Sequence, residues 1–456
     1  MILGAGGDLT SRYLVPALVE LEAAGALPAD LVVTGLDRTQ WDDGSFRDHV
    51  GARLRTSARP LEPGAIEAVL PRLRYGQADV TDAAALRTAL PEPARPLVAY
   101  LALPAPVVPG AVRALGGLPL PPGSSLVVEK PFGDGLDSAR SLNALVHDVL
   151  PEEQVFRVDH FLGKQTVQNI LGLRFANRIF EPLWNAHHVE RVDVVWDETL
   201  GLEGRAGYYA TAGALRDMVQ NHLLQLLCLL AMEPPRTLDE RALRDRKVDV
   251  LRAVRSPTPE EVARGTVRAR YGAGTVGGAH LPAYRDEQGI DPERGTETFA
   301  AVTLWIDNWR GAGVPFTLRS GKALAADRRE ISVWFRSVPY LPFDRTQFEG
   351  PVDPDVNVLR LAVGPDRVAL DINLNGAGDP FLLERAELAA DLAPQELSAY
   401  ARLLVDVFEG DPVLSIRADE AEEAWRIVEP ILDGWRAGST PLLEYPAGSS
   451  GPSPTG

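Results

Sequence analysis

An aspartate and a histidine stand at the head of a stretch that is otherwise almost wholly apolar. Asp217 and His222 precede the run from Leu223 to Met232, in which only Gln225 is polar. A helix of this kind belongs inside a domain, where an unpaired charge is costly, so its ionisable groups must be paired or useful. Because a neutral imidazole accepts protons near pH 7, His222 is the candidate general base. The alternative is a histidine satisfied within the core.

The helical period limits how these two side chains share a site. With 3.6 residues per turn, Asp217 and His222 point about 140° apart on an ideal α-helix. Both line one cavity only if that cavity wraps the N-terminal end of the helix.

Two further polar clusters follow predicted strands. One is Glu129-Lys130-Pro131, in which Lys130 is presented from a turn because a residue before proline is disfavoured in a helix. Open α/β sheets bind ligands at the carboxyl ends of their strands, although a plain surface turn explains this tripeptide equally well. The other cluster holds Asp159, His160 and Lys164 within six positions between apolar flanks. That density favours a site over a solvated face.

A glycine turn opens the chain. Gly4, Gly7, Asp8 and Leu9 lie between a three-residue apolar stub and an apolar repeat at helical spacing, an order typical of strand, turn and helix. Glycines let backbone N–H groups approach a pyrophosphate, whose charge the helix N-terminus then favours. Leu9 breaks the strict G-x-G-x-x-G spacing, so an ordinary turn is an equal alternative.

A second predicted strand ends where dinucleotide-binding folds read the adenosine ribose. The run 31–35 leads to Asp37 and Arg38, about 30 residues after the glycine turn. Asp37 is suited to the 2′-hydroxyl of NAD, whereas Arg38 is suited to the 2′-phosphate of NADP. The two neighbours therefore argue for different coenzymes.

The pattern of predicted elements changes along the chain. Strands and helices alternate through the first third, which favours a parallel sheet. Later strands are predicted at 189–196, 298–306, 331–335 and 368–374, with few helices between them, which indicates an antiparallel sheet in a second domain. Residues 395–437 return to helical spacing.

Two glycine-containing segments carry no predicted element. The segment 272–277 satisfies G-x-G-x-x-G literally, but no helix follows it, so we interpret it as a mobile loop rather than a phosphate site. The tail 446–456 is rich in glycine, proline and serine, and we expect it to be frayed.

Composition bounds the possible functions. A chain of 456 residues that is 45% hydrophobic and 24% charged has room for two or three globular domains. Its formal charge of −17 repels phosphate backbones and anionic lipid, which argues against nucleic-acid and membrane partners. The lone Cys228 argues against a disulfide framework or a sulfur metal site, so we expect no metal and a reducing cytoplasm. Neither a leader peptide nor a membrane-spanning run is recognisable.

These motifs together resemble the glucose-6-phosphate dehydrogenase family over almost the whole chain. The segments that carry the resemblance are, in order, Gly4–Leu9, Glu129–Pro131, Arg157–Lys164, Phe175–Phe180, Glu203–Arg205, Arg216–Gln225 and Gly313–Lys322. The resemblance implies an α/β Rossmann domain (1–157) followed by an α+β domain (158–445) with a large antiparallel sheet. It also implies oxidation of a sugar phosphate at C1 to a lactone by NADP or NAD, in a homodimer or homotetramer whose dimer interface is buried by the sheet.

The resemblance assigns individual roles. His222 matches the general base, and Asp159 matches the carboxylate that orients the imidazole and stabilises its charged form. Residues that match substrate ligands are Lys130, His160, Lys164, Glu198, Asp217 and Lys322. Residues that match coenzyme ligands are Gly4, Gly7, Asp8, Leu9, Arg38 and Lys130. Since Arg38 matches a residue that contacts the 2′-phosphate, we expect NADP, with NAD left open by Asp37.

Several positions depart from the family pattern. Phe161 replaces a tyrosine, and Asp327 stands where a lysine or arginine helps to bind phosphate. Tyr13 replaces a lysine near the nucleotide turn, and Gly6 a serine or threonine. Losing one charge-assisted contact costs on the order of 1.5–3 kcal/mol, so we expect a weakened hold on phosphate unless Arg328 reaches the site.

The matching residues and the departures together leave three candidate functions. The first is NADP-dependent oxidation of glucose 6-phosphate to 6-phosphogluconolactone. The second is a dehydrogenase of a different, possibly unphosphorylated, sugar. The third is a non-catalytic homologue that binds sugar phosphate or nucleotide, against which Asp159, Asp217 and His222 argue, because a binder has no chemical need for that set.

Overall fold

The computed structural model of the chain describes residues 1–57, 59–90, 95–202, 206–343, 356–376, 378 and 381–452. The motif Glu203–Arg205 and the last four residues of the predicted tail lie outside these ranges. Among the helices that the structure describes, none combines the length and apolarity that crossing a bilayer requires.

The chain divides into two compact units. The first consists of Met1–Gln165, Pro235–Asp245 and Gln395–Glu422, and the second of Thr166–Pro234, Arg246–Pro394 and Glu423–Gly456.

A six-stranded parallel sheet lies in the first unit. Its strands are β1 (Ile2–Leu3), β2 (Val33–Asp37), β3 (Leu73–Gln77), β4 (Val98–Leu101), β5 (Ser125–Glu129) and β6 (Val155–Val158). The helices among them are α1 (Val15–Ala23), α2 (Asp43–Arg55), α3 (Pro63–Val69), α4 (Ala83–Ala89), α5 (Val108–Gly116) and α6 (Leu136–His147). The order β3-β2-β1-β4-β5-β6 confirms the predicted Rossmann arrangement, and it reverses direction between β1 and β4, where such sheets bind nucleotides.

The nine-stranded sheet of the second unit is mainly antiparallel, which confirms the predicted fold class. Its members are β7 (Val189–Asp197), β8 (Thr266–Gly272), β11 (Phe299–Trp305), β12 (Pro315–Gly321), β13 (Arg328–Phe335), β14 (Val358–Ala362), β15 (Arg367–Asn375), β16 (Leu383–Asp391) and β17 (Leu442–Pro446), and a separate hairpin pairs β9 (Gly274–Val276) with β10 (Ala279–Leu281). The order is β16-β15-β14-β13-β7-β12-β11-β8-β17. Only the β7–β12 and β8–β17 pairs are parallel.

The remaining helices complete both units. They are α7 (Gln165–Phe175), α8 (Ala206–Ala214), α9 (Leu224–Ala231), α10 (Glu240–Ala253), α11 (Pro259–Gly265), α12 (Ala399–Glu409) and α13 (Ala418–Arg436). In the first unit, α12 packs its apolar face onto α1, with Leu404 and Val407 in the same buried cluster as Val15 and Leu18. A segment almost 400 residues along the chain thus completes the core beside the parallel sheet.

The interpretation of residues 272–277 as a mobile loop is wrong. Gly272 ends β8, and the following residues form the β9–β10 hairpin. Its turn uses Gly277 and Gly278, whose φ angles of +58° and +86° suit a glycine pair. The glycines therefore serve a hairpin, where they let the chain reverse.

The tail is ordered further than its composition suggests. The Gly448 N–H donates to the Ala323 carbonyl at 2.8 Å, and the Arg319 guanidinium donates to the Ser450 carbonyl at 2.9 Å. The expected fraying from Pro446 is therefore not seen as far as Pro452, because tertiary hydrogen bonds hold this segment.

Candidate active site

Gly4 begins the glycine turn directly after β1. Its φ is +88°, and a Cβ there would lie 2.2 Å from the Ala102 carbonyl oxygen, so only glycine fits. The Gly4 N–H donates to the Leu36 carbonyl at 2.8 Å, and the Gly7 N–H donates to the Gly4 carbonyl at 3.1 Å. The turn therefore brings bare backbone close to the ends of neighbouring strands.

Asp8 and Leu9 complete that turn. A short π-helix, Thr10–Leu14, starts directly after Leu9. Asp8 is exposed and lies 3.9 Å from Arg12, a geometry of little energetic weight in water. Bare backbone at the start of a helical segment fits a nucleotide pyrophosphate.

Asp37 ends β2 and is engaged by donors of the chain itself. Its carboxylate accepts hydrogen bonds from the Gly6 N–H at 3.1 Å and from the Thr39 N–H at 3.2 Å. The Thr39 hydroxyl adds a third at 3.3 Å. Arg38 follows directly in the chain and is exposed.

Glu129 ends β5 and immediately precedes Lys130. Its carboxylate accepts a hydrogen bond from the Tyr100 hydroxyl at 2.5 Å and another from the Tyr400 hydroxyl. Burial raises the pKa of Glu129 to about 7, against the opposing effect of the two hydroxyls and the Lys130 charge. Burial and then the Glu129 charge raise the pKa of both tyrosines, so they remain protonated donors at neutral pH.

Asp159 lies just beyond β6 and is 1% exposed. Its carboxylate accepts a hydrogen bond from the Phe161 N–H at 2.9 Å, and the Lys164 N–H donates to the Phe161 carbonyl at 3.0 Å. These bonds fold the segment into a tight turn, which keeps Asp159, His160 and Lys164 on one short loop of the first unit.

In the second unit, His222 lies on a π-helix that spans Leu215–Leu223 and continues into α9. Because π-helical hydrogen bonds run from i to i+5, residues five positions apart lie near one another on the helix surface. Asp217 and His222 are five apart, so they share a side of this segment, and the expected separation of about 140° is wrong because it assumes an α-helix. His222 is 1% exposed.

Glu297 holds the start of that π-helix. Its carboxylate accepts a hydrogen bond from the Leu215 N–H at 3.0 Å, and its carbonyl accepts one from the Ala214 N–H at 3.1 Å. Gly213 separates α8 from the π-helix with φ of +65° and ψ of 172°. A Cβ at Gly213 would lie 2.4 Å from the Glu297 carboxylate, so glycine leaves the space that this carboxylate occupies.

Lys322 and Glu198 form an ion pair in the second unit. Their charged atoms are 2.7 Å apart, and the Lys322 ammonium lies 5.3 Å from the centre of the Tyr209 ring. Burial and then the Asp217 and Glu297 carboxylates raise the pKa of Tyr209 well above its usual value. The structure thus gathers Glu198, Asp217 and Lys322 around one buried phenol.

Asp327 is tied to its own unit. Its carboxylate accepts hydrogen bonds from the Thr199 N–H at 2.7 Å and hydroxyl at 2.9 Å, and it lies 3.0 Å from Arg329. These hydrogen bonds lower the pKa of Asp327. Arg328, the cation considered as a substitute phosphate ligand, lies 3.2 Å from Glu330.

The predicted site residues fall into two groups. Lys130, Asp159, His160 and Lys164 belong to the first unit with the glycine turn and Arg38, whereas Glu198, Asp217, His222 and Lys322 belong to the second. Sequence reasoning missed three residues that hold these groups, namely Tyr100, Glu297 and Tyr400. Tyr100 looked like one apolar position in a strand, and neither of the others adjoins a motif.

Comparison with known proteins covers both units. Residues 1–169 match the family described as glucose-6-phosphate dehydrogenase, NAD binding domain, and residues 171–455 match glucose-6-phosphate dehydrogenase, C-terminal domain. A glucose-6-phosphate 1-dehydrogenase from Gluconobacter oxydans is 42% identical over 99% of this chain and 94% of its own length.

Two solved structures are similar over nearly the whole chain. Glucose-6-phosphate 1-dehydrogenase from Mycobacterium avium is 32% identical, with a TM-score of 0.85 over 99% of this chain and 94% of that one. A glucose-6-phosphate dehydrogenase in complex with its substrate glucose 6-phosphate is 29% identical, with a TM-score of 0.86 over 99% of this chain and 95% of that one.

Proposed function

Because the chain belongs to the glucose-6-phosphate dehydrogenase family, we propose that it oxidises the C1 hydroxyl of glucose 6-phosphate to 6-phosphogluconolactone. The observation that carries the proposal is the π-helical turn on which buried His222 shares a side with Asp217. A proton acceptor beside a carboxylate suits the removal of a hydroxyl proton from a sugar.

In the proposed reaction, the neutral imidazole of His222 takes the C1 hydroxyl proton as the C1–H bond breaks and the C1=O bond forms. The bound nicotinamide supplies the acceptor for the hydride. Asp159 orients the imidazole and stabilises its charged form. The sugar hydroxyls are held by Glu198 and Asp217, and Lys130 lies where the sugar meets the coenzyme.

The phosphate group is assigned to the cations of the family motif. His160 and Lys164 are the proposed ligands, and Lys322 completes the substrate set. Support comes from the tight turn after Asp159, which fixes two of these residues on one loop.

For the coenzyme we propose NADP, held by Gly4, Gly7, Asp8, Leu9 and Lys130, with Arg38 on the 2′-phosphate. The close approach of Gly4 to the Ala102 carbonyl supports a nucleotide at this turn. The chain's own donors already engage the Asp37 carboxylate, which supports Arg38 rather than Asp37 as the reader of the ribose.

We further propose a cytoplasmic homodimer or homotetramer. Support for assembly comes from β15 and β16, where Leu370 pairs with Leu388 and Ile372 with Ala386 on one face of the sheet. Leu388 is 56% exposed, so part of this apolar face meets solvent in the single chain. A face of this kind is typical of an interface.

A substrate panel tests the function. Glucose 6-phosphate and glucose are each offered with NADP and with NAD, and reduction is followed at 340 nm, where we expect the phosphorylated sugar with NADP to give the highest kcat/KM. Preference for glucose would favour the second candidate, a dehydrogenase of an unphosphorylated sugar, which Phe161 and Asp327 support. Binding of both ligands without turnover would overturn the enzymatic proposal altogether.

A further inference from the structure

Four aromatic rings form a continuous stack in the first unit, here called the aromatic ladder: Tyr13, Tyr400, His160 and Phe161. The Tyr13 and Tyr400 rings are 5.3 Å apart with planes inclined by 35°. Tyr400 and His160 are 5.6 Å apart and almost parallel, at 11°. His160 and Phe161 meet edge to face at 5.0 Å. The Lys164 ammonium lies 5.4 Å from the centre of the Phe161 ring.

Tyr400, whose ring contacts both Tyr13 and His160, is held in place at its hydroxyl and at its backbone. The hydroxyl bonds Glu129, which also accepts from Tyr100, so the ring is tied to the ends of β4 and β5. The backbone of the preceding residue packs against the loop of His160, since a Cβ at Gly163 would lie 2.7 Å from the Ala399 carbonyl oxygen.

A second contact joins the segment before α12 to the same loop. The Gln395 amide donates to the Gly163 carbonyl at 2.7 Å, and its carbonyl oxygen accepts from the Gln165 N–H at 3.3 Å. The segment before α12 is therefore hydrogen-bonded to the loop after β6, which holds the backbone of α12 next to the loop that carries His160.

An imidazole that binds phosphate must hold one ring plane, because its N–H bond lies in that plane. A tyrosine stacked almost parallel to the ring restricts rotation about the His160 side-chain bonds. The Phe161 ring makes an edge contact with the same imidazole, and its face lies near the Lys164 ammonium. One stack thus limits the motion of both proposed phosphate ligands.

We propose that the aromatic ladder, through Tyr400 and Tyr13, positions His160 and Lys164 for the phosphate of the substrate. This inference rests on the proposed function, since it presumes that these two residues hold a phosphate. Tyr13 and Tyr400 are positioning residues and need not touch the substrate.

The ladder also accounts for two departures from the family pattern. Tyr13 lacks the ammonium and Phe161 lacks the hydroxyl expected at their positions, and both rings belong to the aromatic ladder. Phe161 is only 4% exposed, so its ring is a packing element of the loop. Ring contacts therefore hold the Phe161 side chain on the loop after β6 and the Tyr13 side chain on the π-helix Thr10–Leu14.

The test compares two substitutions of Tyr400. Tyr400→Leu removes the stack, whereas Tyr400→Phe keeps the ring and loses only the hydroxyl. Since an aromatic pair is worth about 0.5–1.5 kcal/mol, we expect Tyr400→Leu to raise the KM for glucose 6-phosphate about three- to tenfold. Tyr400→Phe should stay within about twofold, and Tyr13→Leu should fall between them.

An effect on phosphate binding is recognised by comparing the KM for glucose 6-phosphate with the KM for glucose. With glucose, which carries no phosphate, Tyr400→Leu should change KM by less than twofold. Tyr340→Leu, at a tyrosine that is 80% exposed, is the matched control and should change neither KM. Equal increases for both sugars in Tyr400→Leu, or no increase for either, would overturn the ladder as a positioning device.

Titration with inorganic phosphate separates this inference from the proposed function. Wild-type protein that binds phosphate but does not oxidise glucose 6-phosphate would contradict the function, and weaker phosphate binding by Tyr400→Leu would still support the ladder. Unchanged phosphate binding by that variant, with its melting temperature preserved, would reject the ladder whatever the substrate.

Discussion

At the scale of single residues, the proposed chemistry depends on one ring nitrogen of His222. Replacing His222 by asparagine keeps a similar shape but deletes the proton acceptor. We expect kcat to fall by about 10²–10⁴, while the dissociation constants for coenzyme and sugar change little. Steady-state kinetics and isothermal titration on one preparation measure both. Turnover within a few-fold of wild type would show that His222 is only a core histidine.

The preference for NADP over NAD is also expected to depend on a single residue, Arg38. Arg38→Ala removes the proposed partner of the 2′-phosphate, so the KM for NADP should rise at least tenfold, whereas the KM for NAD should change by less than threefold. Asp37→Asn is the companion variant, because it removes a charge that repels phosphate, although it also replaces one of the two oxygens that accept from Gly6 and Thr39. Equal effects of Arg38→Ala on both coenzymes would show that Arg38 does not read the ribose.

The raised pKa of Glu129 predicts that the stability of the protein depends on pH. Its pKa is about 7 in the folded protein and 4.5 as the ordinary value, so the folded state binds this proton more tightly. Its contribution is therefore fully present below pH 4.5 and is lost as pH rises through 7. Glu129→Gln cannot titrate, so the melting temperature of wild type minus that of the variant should fall between pH 5 and pH 8.

A difference in melting temperature that stays constant over that range would contradict the raised pKa. Circular dichroism at matched ionic strength is sufficient, since only the difference between the two proteins is compared.

At the scale of elements, the junction between α8 and the π-helix depends on Gly213. Alanine there would have to adopt a backbone conformation that is essentially restricted to glycine, and its Cβ would meet the Glu297 carboxylate. We expect Gly213→Ala to lower the free energy of unfolding by about 1–3 kcal/mol and to reduce kcat more than coenzyme affinity. Chemical denaturation and kinetics measure the two effects.

Gly207→Ala is the matched control on the same helix. A Cβ at Gly207 meets no atom within 4 Å, so this change should be neutral or slightly stabilising. A Gly213→Ala variant as stable and as active as Gly207→Ala would show that the junction tolerates alanine and does not depend on glycine.

At the scale of the whole molecule, the apolar face of β15 and β16 predicts assembly. Leu388→Glu places a charge on that face, and we expect it to shift the protein from dimer toward monomer in sedimentation velocity at micromolar concentration. Ala389→Glu is the control, because successive strand residues point to opposite faces. A wild-type protein that sediments as a monomer at all concentrations would contradict the proposed assembly.

Local patterns predicted much of this molecule. The alternation of strands and helices gave the parallel sheet, and the later β-rich runs gave β7, β11, β13 and β15 close to their observed bounds. Asp159, Asp217 and His222 were selected in the same way, because ionisable groups next to apolar runs are costly unless they are used. Such information lies within about ten neighbouring positions, so it can be read before the chain is folded. Glu198 and Lys322 were selected only by the family resemblance.

What the tertiary structure decided involves residues far apart in the chain. Tyr400 stacks on His160, Glu297 holds Leu215, and Thr199 engages Asp327, each across 80 residues or more. No periodicity signals such a contact, since it arises only when separate elements pack. The π-helix at His222 has the same origin: an apolar pattern suits either helical period, and the buried Glu297 carboxylate and the backbone of Gly213 fix where this helix begins. The reactive groups are thus local in sequence, whereas their orientation is a property of the folded chain.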